Sequence, residues 1–300
     1  MATAATGDLN AYFKDRIGQI ERTLDELVPE GNRFCGVLFE SMRYSLFAGG
    51  KRLRPVLALA TVEALGGDVE AALPVASTLE MIHTYSLVHD DLPAMDDDDF
   101  RRGKPTNHKV FGEAVAVLAG DALLTQAFQV LGTLDATGRE AVMLRIVGEL
   151  ALASGSLGMV AGQTADMLNE GKQADAETLA FIHTNKTGAL LTASVRIGAL
   201  FAEATEEQLL ALTTYAERIG LAFQIVDDIL DVVGSAEKLG KAVGADAAHA
   251  KLTYPALHGL QESREAVRRL TGEAHQALQS IGLSGGRLTQ IADWLVNREV

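Results

Sequence analysis

The sequence predicts a single all-α domain over residues 1–300, on three observations. Only six prolines occur in 300 residues, and none falls in an alternating, strand-like run. Apolar residues recur at helical spacing: Leu212, Tyr215, Ile219, Ala222, Val226, Ile229 and Val233 step by three and four, which marks one face of a long helix. Glycine and polar clusters punctuate such runs, at Gly49-Gly50, Gly66-Gly67, Ala136-Thr137-Gly138, Gly234-Ser235 and Ser284-Gly285-Gly286. The same pattern predicts helices over 55–65, 72–88 and 114–131, the first with Pro55 in its opening turn. About ten or more helices are expected, many about 15–25 residues long. No linker, low-complexity tract or fixed repeat divides the chain. Helices as apolar as 190–202 need burial on several sides, which a central place in a bundle or a dimer interface supplies.

Composition removes several classes of function. With 26 basic and 40 acidic side chains the formal net charge is −14, so neither a nucleic acid nor an anionic membrane surface is an expected partner. Hydrophobic residues at 48% and charged residues at 22% exclude disorder. A lone Cys35 excludes a disulfide scaffold and a cysteine zinc site, and it fits a reducing compartment. Residues 1–8 lack a basic region followed by an apolar one, so no secretory signal is expected and a cytoplasmic location is. No run of eighteen apolar residues occurs. The richest, 189–201, is interrupted by Thr192, Ser194 and Arg196, so membrane insertion is not expected.

The sharpest local features are two aspartate clusters. The first is Asp90-Asp91-Leu92-Pro93-Ala94-Met95-Asp96, continued by Asp97, Asp98 and Asp99; the second is Asp227-Asp228-Ile229-Leu230-Asp231. Asp227 and Asp231 share a helix face at i,i+4, and Gln224 lies three residues earlier. Carboxylates crowded beside apolar stripes repel one another and are tolerable there when a cation sits between them. An all-oxygen set without His or Cys favours Mg²⁺ or Mn²⁺ over zinc. His83, Ser86 and Asp90 stand at helical steps, and Pro93 should end or kink that helix and let Asp96 swing back toward Asp90. An EF-hand is excluded, because both clusters lack its Gly at position six and Glu at position twelve.

An acidic chain has placed several of its cations beside these clusters. Gly49-Gly50-Lys51-Arg52-Leu53-Arg54-Pro55 carries three into a helix; Arg101 and Arg102 follow the first cluster; Lys186-Thr187-Gly188 opens an apolar helix; Lys238, Lys241 and Lys251 follow the second. Arginine forks and lysine point charges are what a diphosphate requires. Other phosphate and nucleophile motifs fail. Ala180 and Asn185 stand where a P-loop needs glycines before Lys186-Thr187, and Ser154 replaces the first glycine of a G-x-S-x-G elbow.

With these pieces in view, the chain resembles the trans-isoprenyl diphosphate synthases, in their bacterial farnesyl diphosphate synthase branch. The resemblance rests on GGKRLRP at 49–55, HTYSLVHDDLPAMDDDDFRRGKPTNH at 83–108, GQTADM at 162–167, KTGAL at 186–190 and FQIVDDILD at 223–231. It implies mostly antiparallel helices around a deep central cavity, a homodimer, and head-to-tail prenyl transfer between an allylic diphosphate and isopentenyl diphosphate. It implies about three Mg²⁺ per site, with Mn²⁺ as a substitute. Asp90, Asp96 and Asp227 would carry the metal, with Asp91, Asp228 and Asp231 completing the catalytic carboxylates. Gly50, Lys51, Arg54, His83 and Arg102 would hold isopentenyl diphosphate. Arg101, Lys186, Lys241 and Lys251 would hold the allylic diphosphate, and Thr187 and Gln224 would shield the allylic cation. Phe100 stands where such enzymes commonly carry Leu.

Product length is expected to be set just upstream of Asp90. Tyr85 lies five residues earlier, roughly 7.5 Å down a helix. An aromatic ring there, with Ser86 beside it and the two extra residues Pro93 and Ala94, implies farnesyl diphosphate as product. The alternatives are a geranylgeranyl or longer-chain synthase, a terpene cyclase, and a non-catalytic modulating subunit. The isopentenyl-binding cations argue against the cyclase, and the intact second cluster against the non-catalytic subunit.

Overall fold

The computed structural model describes residues 8–172, 175–233 and 253–297. In chain order the helices are α1 (Leu9–Leu27), α2 (Gly36–Leu46), α3 (Leu53–Ala64), α4 (Val69–Asp90), α5 (Asn107–Phe111), α6 (Glu113–Thr133), α7 (Glu140–Ser154), α8 (Met159–Asn169) and α9 (Ala176–Ile182). A π-helical turn (His183–Gly188) then leads into α10 (Ala189–Phe201), followed by α11 (Glu206–Val233), α12 (Tyr254–His258), α13 (Leu260–Ser280) and α14 (Arg287–Val296). The expected helices over 55–65, 72–88, 114–131 and 212–233 all appear, each longer or shifted by a few residues. Asp8 and Asp68 cap α1 and α4, accepting hydrogen bonds from the amides of Asn10 (3.0 Å) and Ala71 (3.1 Å).

Helices α3 and α10 occupy the centre. Leu53 and every residue from Pro55 to Val62 are buried, as are nearly all of α10's side chains. The two pack with almost no gap because Gly198 has no Cβ: one built there would lie 2.4 Å from the Ala58 carbonyl oxygen. The second half of α11 packs its Ile225, Val226 and Ile229 stripe against Val267 and Leu270 of α13. Tyr215 of α11 donates a hydrogen bond to the Leu288 carbonyl at 2.7 Å and so ties α14 down.

Three findings differ from the sequence expectation. A small antiparallel ribbon joins Phe100–Arg101 to Lys104–Pro105. Its turn residues Arg102 (φ 54°) and Gly103 (φ 76°) both take the left-handed backbone that two-residue hairpins favour. Arg52 is not a free cation of the glycine-rich turn. It is 1% exposed, donates to Glu80 at 2.8 Å and to the Leu46 carbonyl at 2.6 Å, and pairs with Glu21. Removing one partner of such a buried pair costs about 3–5 kcal/mol, so Arg52 anchors the turn. Finally, three helical stretches are long and apolar enough by composition to cross a membrane: Glu113–Thr133, Glu140–Asn169 and Glu206–Val233, with mean hydropathies of 1.6, 1.4 and 1.2. Counting consecutive apolar residues passes over them, because single polar side chains interrupt each run.

Candidate active site

A cavity of about 630 Å³ opens between α4, α6, α8 and the π-helical turn. Its lining is mostly apolar, from Leu92, Val117, Met159 and Met167, with Asp90, Lys186, Thr187, Arg54 and His83 supplying polar groups. Such a vessel suits a hydrocarbon chain with a charged head.

Helix α4 ends at Asp90, and the chain turns instead of kinking within the helix. The Asp96 amide donates to the Asp90 carbonyl at 2.9 Å and the Met95 amide to the Leu92 carbonyl at 2.8 Å. The Pro93-Ala94 insertion thus brings Asp96 back to Asp90, as the sequence predicts. Burial, with Asp96 and Asp91 nearby, raises the Asp90 carboxyl to about 6 against the opposing pull of Lys186 and Arg101. Asp91 instead accepts from Arg101 Nε at 2.6 Å, and Arg101 also pairs with Asp98 at 3.2 Å. Arg101 is therefore held over the first cluster by two of its carboxylates.

Opposite stands Lys186, at the cavity wall within the π-helical turn, a geometry common at functional sites. Its Nζ pairs with Asp166 at 2.6 Å. Gly162 permits this approach: a Cβ there would fall 2.1 Å from the Lys186 amide nitrogen. Gln163 lines the cavity with both amide atoms buried and without a protein partner. Gln163 and Asp166, both in the 162–167 segment, are site residues that the sequence expectation does not include. Their signal is the i,i+3 spacing, which places both on one face of the helix.

The cations meant for a second diphosphate gather at another corner. Arg54 and His83 both line the cavity. Arg54 Nε is buried with no protein partner, and burial lowers the guanidinium to about 10, against the pull of Glu80. Burial, then Arg54, Arg102, Arg101 and Arg52, hold the His83 imidazole well below its ordinary value, so it is neutral. Arg102 donates to the Gly49 carbonyl. Its guanidinium fills the space a Gly50 side chain would need, a built Cβ falling 2.5 Å from Nη1. Lys51 is exposed and rests over the Trp294 ring at 5.3 Å. Ser86 donates back to the His83 carbonyl at 2.9 Å, and Tyr85, 6% exposed, lines the cavity beside it.

The second cluster divides. Asp227 and Gln224 are half-buried, whereas Asp228 and Asp231 are buried. Asp228 accepts from Gln224 Nε2 at 3.2 Å and from the Tyr254 amide at 2.7 Å, and lies 3.3 Å from His183 Nε2. Those contacts join α11 to α12 and to the π-helical turn. Lys238, Lys241 and Lys251 lie outside the described residues. Among the described residues no group of three His, Cys, Asp or Glu side chains converges on one metal position. An ion bound here would draw on one or two carboxylates and complete its shell with water and phosphate oxygens, as Mg²⁺ does. The crowded oxygens of Asp90 and Asp96 fit that chemistry.

Residues 36–282 match the Polyprenyl synthetase family. The chain is 47% identical to a geranylgeranyl diphosphate synthase of Cyanophora paradoxa, over 97% of each protein. It is 51% identical to a farnesyl diphosphate synthase of Geobacillus stearothermophilus, over 87% of this chain and 89% of that one. Its fold superposes with a TM-score of 0.86 on the crystal structure of an FPP/GFPP synthase from Zymomonas mobilis, which is 38% identical and matches over 96% of this chain and 98% of that one. The chain belongs to the polyprenyl synthetase family. Its class is that of the short-chain prenyl diphosphate synthases, and these matches give no support to a terpene cyclase.

Proposed function

We propose that this protein joins isopentenyl diphosphate to dimethylallyl and then geranyl diphosphate, with farnesyl diphosphate as the main product. The observation that carries this reading is Tyr85, a buried ring in the cavity wall five residues below Asp90. A chain anchored at the aspartates grows past that level, and the ring closes the way beyond about fifteen carbons, roughly 7.5 Å of helix below the anchor. A geranylgeranyl product is the second reading, supported by the Cyanophora relative. Incubation with labelled isopentenyl diphosphate, each allylic primer in turn and Mg²⁺, followed by product-length analysis, separates the two.

Mg²⁺, or Mn²⁺ in its place, would be held by Asp90, Asp96 and Asp227 and would neutralise charge on the departing diphosphate. Asp91, through Arg101, and Asp228, through the α12 amide and His183, fix the backbone around those carboxylates. Lys186 and Arg101, with Lys241 and Lys251, hold the allylic diphosphate. Its C1–O bond breaks, and the electron pair leaves with the diphosphate. The C3–C4 double bond of isopentenyl diphosphate then attacks C1, and the departed diphosphate takes the C2 proton. Arg54, neutral His83 and Arg102, with Lys51 and Gly50, position the second diphosphate. Thr187 and Gln224 turn oxygen dipoles toward the cation, and the apolar wall keeps water from trapping it.

Two expected results follow from this assignment. Arg54→Ala raises KM for isopentenyl diphosphate more than for the allylic substrate, and Lys186→Ala does the reverse; steady-state kinetics with each substrate varied measures both. The protein is also a cytoplasmic homodimer that neither inserts into membranes nor binds nucleic acid. Leu118 is 56% exposed and Leu144 73% exposed, on helices otherwise too apolar for solvent. Light scattering should therefore return twice the 31.9 kDa chain mass; a monomer at micromolar concentration contradicts it.

A further inference from the structure

His89 takes no part in the chemistry above, yet its side chain is seated between α4 and α6. It lies one helical turn after Tyr85 and directly before Asp90, and all three line the cavity. Its ring meets the Tyr85 ring edge-on, with centroids 5.8 Å apart and planes at 78°. Its Nε2 is 3.0 Å from the Val117 carbonyl, so that nitrogen carries the proton and donates; Asp121 Oδ1 lies 4.0 Å away. The ring lies directly on the backbone of Gly120. A Cβ at that position would fall 2.1 Å from Nε2, 2.4 Å from Cδ2 and 2.8 Å from Cε1. Those are the three nearest atoms, and all belong to His89.

We propose that His89 is a positioning residue for product length: it braces the Tyr85 ring against α6, and Gly120 is the notch that admits the brace. This inference rests on the proposed synthase reading and on Tyr85 as the cavity floor. The geometry gives two substitutions opposite signs. His89→Ala removes the brace, frees the tyrosine ring to swing and lengthens the product. Gly120→Ala closes the notch, drives the imidazole toward Tyr85 and the cavity, and shortens it. Because the three atoms nearest the new methyl group all belong to His89, the double variant removes the closest clashes.

The experiment is product-length analysis of wild type, His89→Ala, Gly120→Ala and Gly120→Ala/His89→Ala with dimethylallyl primer and excess isopentenyl diphosphate. The twenty-carbon share should rise about two- to tenfold in His89→Ala, the range an edge-on aromatic contact supports. The ten-carbon share should rise in Gly120→Ala, and the double variant should follow His89→Ala, a non-additivity that general destabilisation does not produce. His89→Gln, which keeps an N–H for the Val117 carbonyl, should recover part of the wild-type distribution. An unchanged product in His89→Ala, or a double variant that keeps the short products of Gly120→Ala, overturns the proposal. Should Gly120→Ala fail to fold, His89→Ala alone still decides. A wild type that forms no prenyl diphosphate overturns the functional reading instead.

Discussion

Asp90→Ala and Asp227→Ala should each lower kcat by roughly a thousandfold or more while the helical circular dichroism is retained, an effect in the range of losing a group that neutralises transition-state charge. Diphosphate leaves an allylic carbon only when the charge growing on it is countered. Asp90 is placed for that task by three features. It ends α4, it is joined to Asp96 through the 2.9 Å backbone hydrogen bond, and it faces the cavity that Lys186 also lines. On the proposed reading Asp227 would serve the same chemistry from α11, beside Asp228, which is tied to the Tyr254 amide and so fixes the helix. Chelation with EDTA should abolish turnover, and added Mg²⁺ should restore it. Full activity in EDTA, or near-wild-type kcat in both variants, would remove the carboxylate–metal account.

Tyr85→Ala should shift the main product from fifteen carbons to twenty and beyond, with turnover retained. The phenol is buried by the cavity wall, and that burial, with Asp90 nearby, pushes it up to about 12, so at neutral pH it is a neutral ring. Cutting it back to a methyl group leaves the diphosphate anchors untouched and opens apolar volume along the path of the growing chain. Each added isoprene unit buries further CH₂ groups at about 0.8 kcal/mol apiece, so the lengthened cavity is filled rather than left empty. Chromatography of dephosphorylated products reads the result directly. An unchanged chain length would mean that the ring is ordinary packing.

Much of the site was legible because the residues concerned act through local spacing. The helical face through Val226 and Ile229, the return of Asp96 after Pro93-Ala94 and the place of Tyr85 below Asp90 all follow from 3.6 residues per turn and the rigidity of proline. What was not legible depends on partners remote in sequence. Arg52 sits among the cations of its turn, but Glu80, 28 residues on, draws it into the core. Asp228 adjoins Asp227, yet the 100° step between neighbours turns it toward His183 and Tyr254. Gly162 and Gly120 are unremarkable helix residues until the Lys186 backbone and the His89 ring are seen to occupy the space of their missing side chains.

On the proposed reading, this cavity couples loss of an allylic diphosphate to formation of a carbon–carbon bond with a second diphosphate substrate. The most direct measurement of that coupling is the stoichiometry of released inorganic diphosphate to incorporated isopentenyl units, with geranyl diphosphate as primer. The account predicts one diphosphate released per unit added, and almost none when isopentenyl diphosphate is left out. Steady release from geranyl diphosphate alone, with a hydrocarbon or alcohol as the product, would contradict it.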